Sequence, residues 1–306
     1  MTAYDELNEF EGKSSKLSLG YQLLKLIKSE ELTFLMEAHD ALSAAIVAEA
    51  GFPAIWASGF SISTSLGYRD VNECSWTQVV DVVERMVDAS CKPILVDGDS
   101  GFGNFNNARI FSKKLFERGA AGICIEDKVF PKMNSFVGNR HPLADIGEFC
   151  GRLKAIRDTV PKDEFVLIAR TEAFIAGQGI DEALDRAHAY AYANAGVDGI
   201  LIHSRRHEPN EVFAFSDAWK NRLPLVIVPT KYYTTPASEY KNAGISAAIW
   251  ANHNMRAAVN AMRSICQVVL KEEGVKNVED GIADLSEVFS LLDYDELDIS
   301  EGIYLS

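Results

Sequence analysis

Eight short apolar runs, most of them preceded by a helical pattern and a small residue, constrain the fold of this 306-residue chain most strongly. The pattern recurs in EAGFPAIWAS, SCKPILVD, RGAAGICIE, NAGVDGILIH and NAGISAAIWAN. Short runs without alternating polar residues are typical of strands that are buried on both faces of a parallel sheet. The runs lie at residues 32–36, 53–57, 93–96, 122–125, 165–169, 199–202, 225–228 and 246–250.

Segments between these runs have helical periodicity. Apolar residues recur at three-and-four spacing, with charges opposite, in TQVVDVVERMVDAS, NARIFSKKLFERGA and IDEALDRAHAYAYANAG. Eight parallel strands that alternate with helices over roughly 220 residues predict an α/β fold of the (β/α)₈ TIM barrel type. A doubly wound open sheet is the structural alternative.

Helical extensions are expected at both ends of the barrel. We expect a single domain over residues 1–306, with an N-terminal helical segment at 1–31, the barrel at 32–252 and C-terminal helices at 253–306. The N-terminal helix is predicted around Lys16 to Glu30. The C-terminal tail begins with MRAAVNAMRSICQVVL, which is too apolar for exposure to water, so it should pack on the barrel or on a neighbouring subunit.

Composition narrows the function classes. The formal net charge of −14 argues against nucleic acid and anionic membrane as partners, since both need a basic face. The five cysteines are scattered without CxxC spacing, and the acidic N-terminus is unlike a signal peptide. No apolar run approaches transmembrane length. These features favour a cytoplasmic protein with a small-molecule partner.

Polar residues follow the apolar runs with unusual regularity. In TIM barrels the chemistry lies at the carboxyl ends of the strands, where the following loops meet. A solvated loop explains any one polar residue there, but it does not explain the whole set. The residues at these positions are Glu37, Ser58, Asp97, Glu126, Arg170, His203, Thr230 and Asn252.

The acidic residues predict a metal site. VDGDSGFGN places Asp97 and Asp99 two residues apart, so both carboxylates point the same way, and Glu126 ends the next strand. With no Lys or Arg in the same motif, the three carboxylates need a cation between them, and oxygen ligands suit Mg²⁺ or Mn²⁺. A capping or solvated pair of aspartates is the alternative. Asp70 either reaches the metal through water or caps a helix at Thr77.

Other residues at the strand ends predict an anion site. Arg170 in LIARTEAF suits bidentate capture of phosphate or carboxylate, although an ion pair with Glu172 can coexist with that role. His203 is either a substrate contact or a structural histidine. Together with the metal, these groups predict a site for a small anion that carries a carboxylate and a second oxyanion. IWASGF adds an apolar wall, a hydroxyl and backbone N–H groups, from Trp56, Ser58, Gly59 and Phe60.

Several segments together resemble the phosphoenolpyruvate mutase and isocitrate lyase superfamily, and within it the mutase branch. They extend over nearly the whole chain as WASGFSISTSLGYRD, LVDGDSGFGNFNNA, EDKVFPKMNS, ARTEAFIAGQG, VPTKYY and IWANHN. The resemblance implies an isomerase (a phosphomutase) that uses Mg²⁺ to interconvert phosphoenolpyruvate and phosphonopyruvate. That reaction makes the C–P bond that begins phosphonate biosynthesis. It also implies helix exchange into dimers and a tetramer that is a dimer of dimers.

The resemblance also implies roles for residues. Asp97 would bind Mg²⁺ directly, and Asp70, Asp99 and Glu126 would act through bound waters. Residues 127–139 would form a gating loop. Asn134 and Ser135 would bind the phosphoryl group, and Lys132 would help loop closure and charge balance. Arg170 and His203 would position the substrate. Ser58, Gly59 and Phe60 would form a carboxylate cradle beneath Trp56.

Two details of the resemblance concern single positions. Mutases of the family commonly have Leu where Phe60 stands, and we expect little consequence because this position acts through its backbone N–H. Asn134 would guide the phosphoryl group, and Asp70 is the other candidate for nucleophilic assistance.

Alternative functions remain within and outside this superfamily. Phosphonopyruvate hydrolase, which gives pyruvate and phosphate, carries Thr where this chain has Asn134, so the Asn favours the mutase. A mutase that acts on a carboxylated phosphoenolpyruvate analogue stays open. C–C lyases of the superfamily use a cysteine in a KKCGH loop, which this chain lacks, and Cys124 lies inside a strand. A catalytically silent barrel is disfavoured because Asp97, Arg170 and Asn134 are all present.

Overall fold

The computed structural model describes residues 17–192 and 196–305. Eight strands follow one another in chain order around a closed barrel, and every neighbouring pair is parallel. The strands are β1 (Thr33–Ala38), β2 (Ala54–Ala57), β3 (Ile94–Asp97), β4 (Gly122–Glu126), β5 (Val166–Thr171), β6 (Gly199–Ile202), β7 (Leu225–Ile227) and β8 (Ala247–Trp250). The closed barrel confirms the predicted fold class and excludes the open sheet.

Helices surround the barrel and extend from both of its ends. The helices up to β8 are α1 (Leu19–Ile27), α2 (Ala41–Glu49), α3 (Gly59–Ser65), α4 (Trp76–Ser90), α5 (Phe105–Glu117), α6 (Ile146–Arg157), α7 (Gly179–Tyr192), α8 (Asn210–Trp219) and α9 (Ala237–Asn242). After β8 come α10 (His253–Glu272), a 3₁₀ turn (Glu279–Gly281), α11 (Leu285–Leu291) and α12 (Tyr294–Tyr304).

The N-terminal helix α1 packs against the interior of the barrel. Its buried residues Leu23 and Ile27 belong to one apolar cluster with Leu35, Leu95 and Val166, which lie on three of the strands. The predicted helix is therefore present, although it is shorter than residues 16–30, and Lys16 lies outside the described residues. A second cluster fills the space between the strands and the outer helices.

The C-terminal helices have little contact with the barrel. Met255 is buried in α10, whereas Leu270 near its other end is 83% exposed. Glu37, which lies inside β1 and not after it, fixes the start of α10 because its Oε2 accepts hydrogen bonds from the N–H groups of Asn254 and Met255 at 2.9 and 3.1 Å. Most of the apolar tail thus remains uncovered within this chain.

Two further observations bear on the setting of the protein. Among the described residues, no helix combines the length and the apolar character that crossing a membrane requires. All five cysteines are free thiols.

Candidate active site

A cavity of about 840 Å³ opens at the carboxyl ends of the strands. Its walls come from the ends of the strands, from the segment around Asp70 and from the β4–α6 loop, residues 127–145. The loop folds back on itself, since Val129 N–H donates to Pro142 O and Ala144 N–H donates to Asp127 O. The predicted site residues that line the cavity are Trp56, Ser58, Phe60, Asp70, Asp97, Lys132, Asn134, Ser135, Arg170 and His203.

The acidic residues meet at the ends of β3 and β4. Asp97 accepts hydrogen bonds from the N–H groups of Gly59 and Asp99, each at 3.3 Å. A Cβ on Gly59 would stand 3.2 Å from both Asp97 Oδ2 and Asp99 Oδ1, so a glycine here permits the close approach of these oxygens. Glu126 is 2% exposed, and its Oε1 has no hydrogen-bond partner among the described residues.

Lys132, for which the resemblance implies loop closure and charge balance, places its ammonium inside this cluster. Lys132 Nζ lies 2.6 Å from Asp70 Oδ1 and 2.8 Å from Asp99 Oδ1. Asn134 Nδ2 donates to the other oxygen of Asp70 at 2.6 Å. Asn72 joins the same network, because it accepts a hydrogen bond from Lys132 N–H and donates one to Asp99 Oδ2. The loop therefore reaches Asp70 through two of its side chains.

Asp70 does not cap the helix that contains Thr77. That helix, α4, begins after Ser75, whose side chain accepts a hydrogen bond from Gln78 N–H. Asp70 instead faces the cavity and is bound to Lys132 and Asn134. Ser58 has a local role as well, since its hydroxyl accepts a hydrogen bond from Ser61 N–H at the start of α3.

Burial and neighbouring charges shift the pKa values in the cluster in opposite directions. For Asp99, burial raises the pKa to about 8; the ammonium of Lys132 opposes this rise, and Asp97, Asp70 and Glu126 add to it. Burial opposes ionisation of Asp70 too, but Lys132 and Asn134 keep its pKa below the usual value. Burial alone would lower the pKa of Lys132, yet the surrounding carboxylates raise it well above its usual value.

The opposite wall of the cavity presents Arg170 and His203. Arg170 Nε donates to Glu172 Oε1 at 2.5 Å, which is the ion pair considered from the sequence. His203 Nδ1 lies 2.7 Å from Arg170 Nη2 and 2.8 Å from Glu172 Oε1. Nε2 of His203 is buried and has no hydrogen-bond partner in the described part of the chain. The Phe136 ring packs edge-on against the imidazole at a centroid distance of 5.5 Å.

Burial and Arg170 favour the neutral form of His203, and neighbouring carboxylates favour the cationic form of Arg170. Burial and the guanidinium of Arg170 lower the pKa of His203, and Glu172 only partly compensates. The carboxylates of Glu172 and Glu126 raise the pKa of Arg170 well above its usual value despite its burial. A neutral imidazole beside a fixed guanidinium suits an anionic ligand, because it adds no titrating charge near pH 7.

Ser135 is fully occupied by other side chains. Its hydroxyl donates to Glu172 Oε2 at 2.7 Å and accepts from Lys128 Nζ at 2.6 Å and from Arg170 Nη2 at 3.3 Å. A hydroxyl has one hydrogen and two lone pairs, so these contacts use its whole capacity. Lys128 also donates to Met133 O at 3.0 Å.

The structure thus brings all the predicted site residues to one end of the barrel and adds three that the sequence analysis did not assign to the site. Lys128 and Glu172 are buried ionisable residues behind the cavity, and Asn72 bridges the loop to Asp99. EDK and RTE place Lys128 and Glu172 two residues from Glu126 and Arg170, respectively. On a strand that spacing directs side chains to the same face, which is the signal that could have found Lys128 and Glu172.

The sequence of this chain matches a known protein family. A family model described as Phosphoenolpyruvate phosphomutase matches residues 23–270. The chain belongs to this family. The phosphoenolpyruvate phosphomutase from Tetrahymena pyriformis is a relative that is 51% identical to this chain over 285 residues. The match covers 93% of this chain and 94% of the relative.

Solved structures are similar over the same extent. The phosphoenolpyruvate phosphomutase from Streptomyces platensis subsp. rosaceus superposes with a TM-score of 0.91 at 38% identity, and the match covers 94% of this chain and 99% of that one. A phosphonopyruvate hydrolase solved with oxalate and Mg²⁺ has a TM-score of 0.88 at 33% identity, with 94% and 100% covered. In sequence, this chain is more similar to these two phosphomutases than to the hydrolase.

Proposed function

We propose that this protein is a phosphoenolpyruvate mutase, an isomerase that interconverts phosphoenolpyruvate and phosphonopyruvate and so forms the C–P bond at the start of phosphonate biosynthesis. The observation that carries the proposal is the position of Asn134. Its amide is held by Asp70 in the same cavity that Arg170 and His203 line. Membership in the phosphoenolpyruvate phosphomutase family supports this assignment of substrate.

Mg²⁺ is the proposed cofactor, with Mn²⁺ as a substitute. The donors fit a hard cation because they are carboxylate oxygens, and the buried Glu126 Oε1 has no hydrogen-bond partner among the described residues. Within those residues, no three His, Cys, Asp or Glu side chains are arranged to ligate one ion together. As the resemblance to this family implies, Asp97 would hold the ion directly, and Asp70, Asp99 and Glu126 would hold it through waters. When bound, Mg²⁺ supplies charge neutralisation for the substrate oxyanions.

Binding of the substrate falls to the two walls of the cavity. Nη1 of Arg170 has no hydrogen-bond partner among the described residues and is available for a phosphoryl oxygen. The carboxylate would lie against Ser58 and the backbone N–H groups of Gly59 and Phe60, beneath Trp56. Gly59 N–H now donates to Asp97 at the long distance of 3.3 Å, so that contact is weak enough to be exchanged for a substrate oxygen.

Transfer of the phosphoryl group needs no strong nucleophile. The O–P bond breaks as the P–C bond forms, and the electron pair of the enol double bond makes the new bond while the enol oxygen becomes a carbonyl. Such a transfer passes through a loose, metaphosphate-like state, so the chain must hold the oxygens and exclude water. Asn134 would guide the phosphoryl group, with Asp70 fixing the amide and Lys132 balancing the charge.

The hydrolase is the second candidate, and Asn134 argues against it. A hydrolase must admit water to the phosphoryl group, whereas here the β4–α6 loop lines the cavity and contacts the acidic cluster through Lys132 and Asn134. A mutase that acts on a carboxylated analogue remains a further alternative. The cavity volume of about 840 Å³ leaves room for a larger substrate.

Assembly and location complete the proposal. We infer a homo-oligomer, a dimer of dimers with exchanged C-terminal helices, because apolar residues of α10 such as Met262 and Leu270 are 60% and 83% exposed in one chain. The five free thiols support a reducing cytoplasm as the site of action.

Incubation of the purified protein with Mg²⁺ and phosphonopyruvate, followed by ³¹P NMR, tests the proposal. A phosphoenolpyruvate signal is expected. Accumulation of inorganic phosphate without that signal would establish the hydrolase instead, and an unchanged spectrum would exclude both activities on this substrate. Omission of the metal in a parallel sample with excess chelator should abolish the reaction.

A further inference from the structure

Glu172 links the β4–α6 loop to the wall of the barrel. We propose that it is a positioning residue that couples the closed placement of this loop to the alignment of Arg170 and His203, and this inference rests on the proposed function. Glu172 is fully buried and does not line the cavity, so it would act through its neighbours and not on the substrate.

The two oxygens of Glu172 contact different parts of the structure. Oε1 accepts from Arg170 Nε at 2.5 Å and lies 2.8 Å from His203 Nδ1, and both of those residues belong to the barrel. Oε2 accepts from Ser135 Oγ at 2.7 Å and lies 2.9 Å from Lys128 Nζ, and both of these belong to the loop. One carboxylate therefore holds four groups from two structural units.

Charge balance makes Glu172 necessary for this arrangement. Lys128 and Arg170 are both buried, and two buried cations without an anion between them would repel each other. Glu126 is a weaker partner, at 3.8 Å from Lys128 and 3.5 Å from Arg170. These cations keep the pKa of Glu172 well below its usual value in spite of the opposing effect of burial. Glu172 is thus a permanent anion between the loop and the barrel.

Alignment follows from the rigidity of the guanidinium. Arg170 presents its donors in one plane, so fixing Nε on Glu172 and Nη2 near His203 also fixes the direction of Nη1. The same carboxylate accepts a hydrogen bond from the Ser135 hydroxyl, so it also fixes that side chain. Loss of the Glu172 contacts would therefore release the loop and misdirect Arg170 at the same time.

Glu172→Gln tests the coupling with a side chain of almost the same shape. The amide keeps one acceptor oxygen, but its NH₂ group faces donors, either Lys128 and Ser135 or Arg170. We expect KM for phosphonopyruvate to rise about tenfold or more, with a smaller change in kcat, because the binding group is misplaced. Without substrate, trypsin should cut faster after Lys132, which is buried in the closed loop.

Asp198→Asn is the matched control. Asp198 is also a buried carboxylate paired with an arginine, at 2.6 Å from Arg157 Nη2, but it lies next to the amino end of β6, at the other end of the barrel. The Asp198→Asn variant should be less stable than the wild type, without a change in KM or in the rate of cleavage after Lys132. Equal values of both quantities in Glu172→Gln and Asp198→Asn would overturn the proposal.

A double-mutant cycle gives an independent readout. By itself, Ser135→Ala should raise KM. It should add little to Glu172→Gln, because both variants remove the same link, and fully additive effects would contradict the coupling.

Lys128→Met is the alternative variant if Glu172→Gln does not fold. It removes a contact on the loop side of the link, so tryptic cleavage after Lys132 should be faster. An unchanged rate would reject the proposal. Failure of the wild-type protein to convert phosphonopyruvate would refute the proposed function, while the cleavage comparison would still decide the role of Glu172.

Discussion

Asn134 and Lys132 are the two residues through which the loop reaches Asp70. Both side chains bind one carboxylate, each at 2.6 Å, so their positions depend on each other. An ammonium held by Asp70 and Asp99 brings positive charge to a site that collects four carboxylates. The balance between this ammonium and the carboxylates decides how firmly the loop covers the cavity and how well water is excluded.

Asn134→Thr should weaken the mutase activity and permit hydrolysis. Threonine is shorter and cannot span the same distance to Asp70, so the phosphoryl group would be less well guided and water would have more room. We expect a loss of about 10²-fold in kcat for phosphoenolpyruvate formation. The ratio of phosphate to phosphoenolpyruvate in the ³¹P spectrum measures the change. A ratio equal to that of the wild type would show that Asn134 does not separate the two activities.

Arg170→Lys should impair binding although it keeps the charge. A lysine cannot engage Glu172, His203 and a phosphoryl oxygen together, because it lacks the planar set of donors. KM for phosphonopyruvate is expected to rise about 10- to 100-fold. Steady-state kinetics beside Arg157→Lys, at the other end of the barrel, provide the comparison, and Arg157→Lys should leave KM unchanged.

The low pKa of His203 predicts an acid-dependent loss of stability. Because burial and Arg170 lower its pKa below 6.5, the unfolded chain binds a proton that the folded chain refuses. The contribution of His203 to the free energy of unfolding is therefore complete above about pH 6.5 and declines as the pH falls below that value. In urea titrations between about pH 7 and about pH 5, wild type should lose more unfolding free energy than His203→Gln. Parallel losses in the two proteins would contradict a neutral buried His203.

Single residues at strand ends could be predicted from the sequence because each follows an apolar run. Asp97 and Glu126 lie at the last positions of β3 and β4 as the pattern indicates. Contacts between distant segments could not be predicted in this way. Lys132 lies 62 residues from Asp70, and the path of the β4–α6 loop that joins them is fixed by tertiary contacts without a periodic signal.

At the scale of elements, α1 packs very tightly against the segment before β5. A Cβ on Gly20 would stand only 1.8 Å from Glu164 O, so this helix can approach the barrel only with a glycine at that point. The sequence predicted the helix from its periodicity. It could not predict the requirement for Gly20, because the neighbouring atom belongs to a segment far along the chain.

Gly20→Ala should destabilise the protein by about 1–3 kcal/mol through this overlap with the backbone. The site lies at the opposite end of the barrel, so kcat and KM of the folded enzyme should not change. Gly151→Ala in α6 is the control, since a Cβ there meets nothing within 4 Å and alanine favours the helix. In chemical denaturation, the free energy of unfolding should be higher for Gly151→Ala than for the wild type and lower for Gly20→Ala. The reverse order would contradict the packing described for α1.

Elements of the barrel were easier to predict than the tail. Most strands are apolar runs buried on both faces, so the sequence indicates their positions directly. The bounds agree within two residues, as for 165–169 against Val166–Thr171. The apolar start of the C-terminal tail indicated burial but not the covering surface. In the single chain the tail remains largely exposed, so no surface of the described chain covers it.

At the scale of the whole molecule, the exposed face of α10 predicts association. Met262→Glu combined with Leu270→Glu should shift the protein towards a smaller species, because charges would replace apolar side chains that are 60% and 83% exposed. Arg263→Glu combined with Lys271→Glu adds the same number of acids on the same helix and should leave the mass unchanged. Size-exclusion chromatography with light scattering measures the mass. Equal masses for both double variants would show that this face is not an interface.

In the proposed reaction, the closed cavity moves a phosphoryl group within one substrate and keeps water away from it. Incubation of the wild-type protein with Mg²⁺ and phosphonopyruvate in H₂¹⁸O, followed by mass spectrometry of the products, tests this most directly. We expect phosphoenolpyruvate whose phosphoryl group carries no ¹⁸O. Inorganic phosphate that contains one ¹⁸O atom as the main product would contradict it, because water would then have attacked the phosphoryl group.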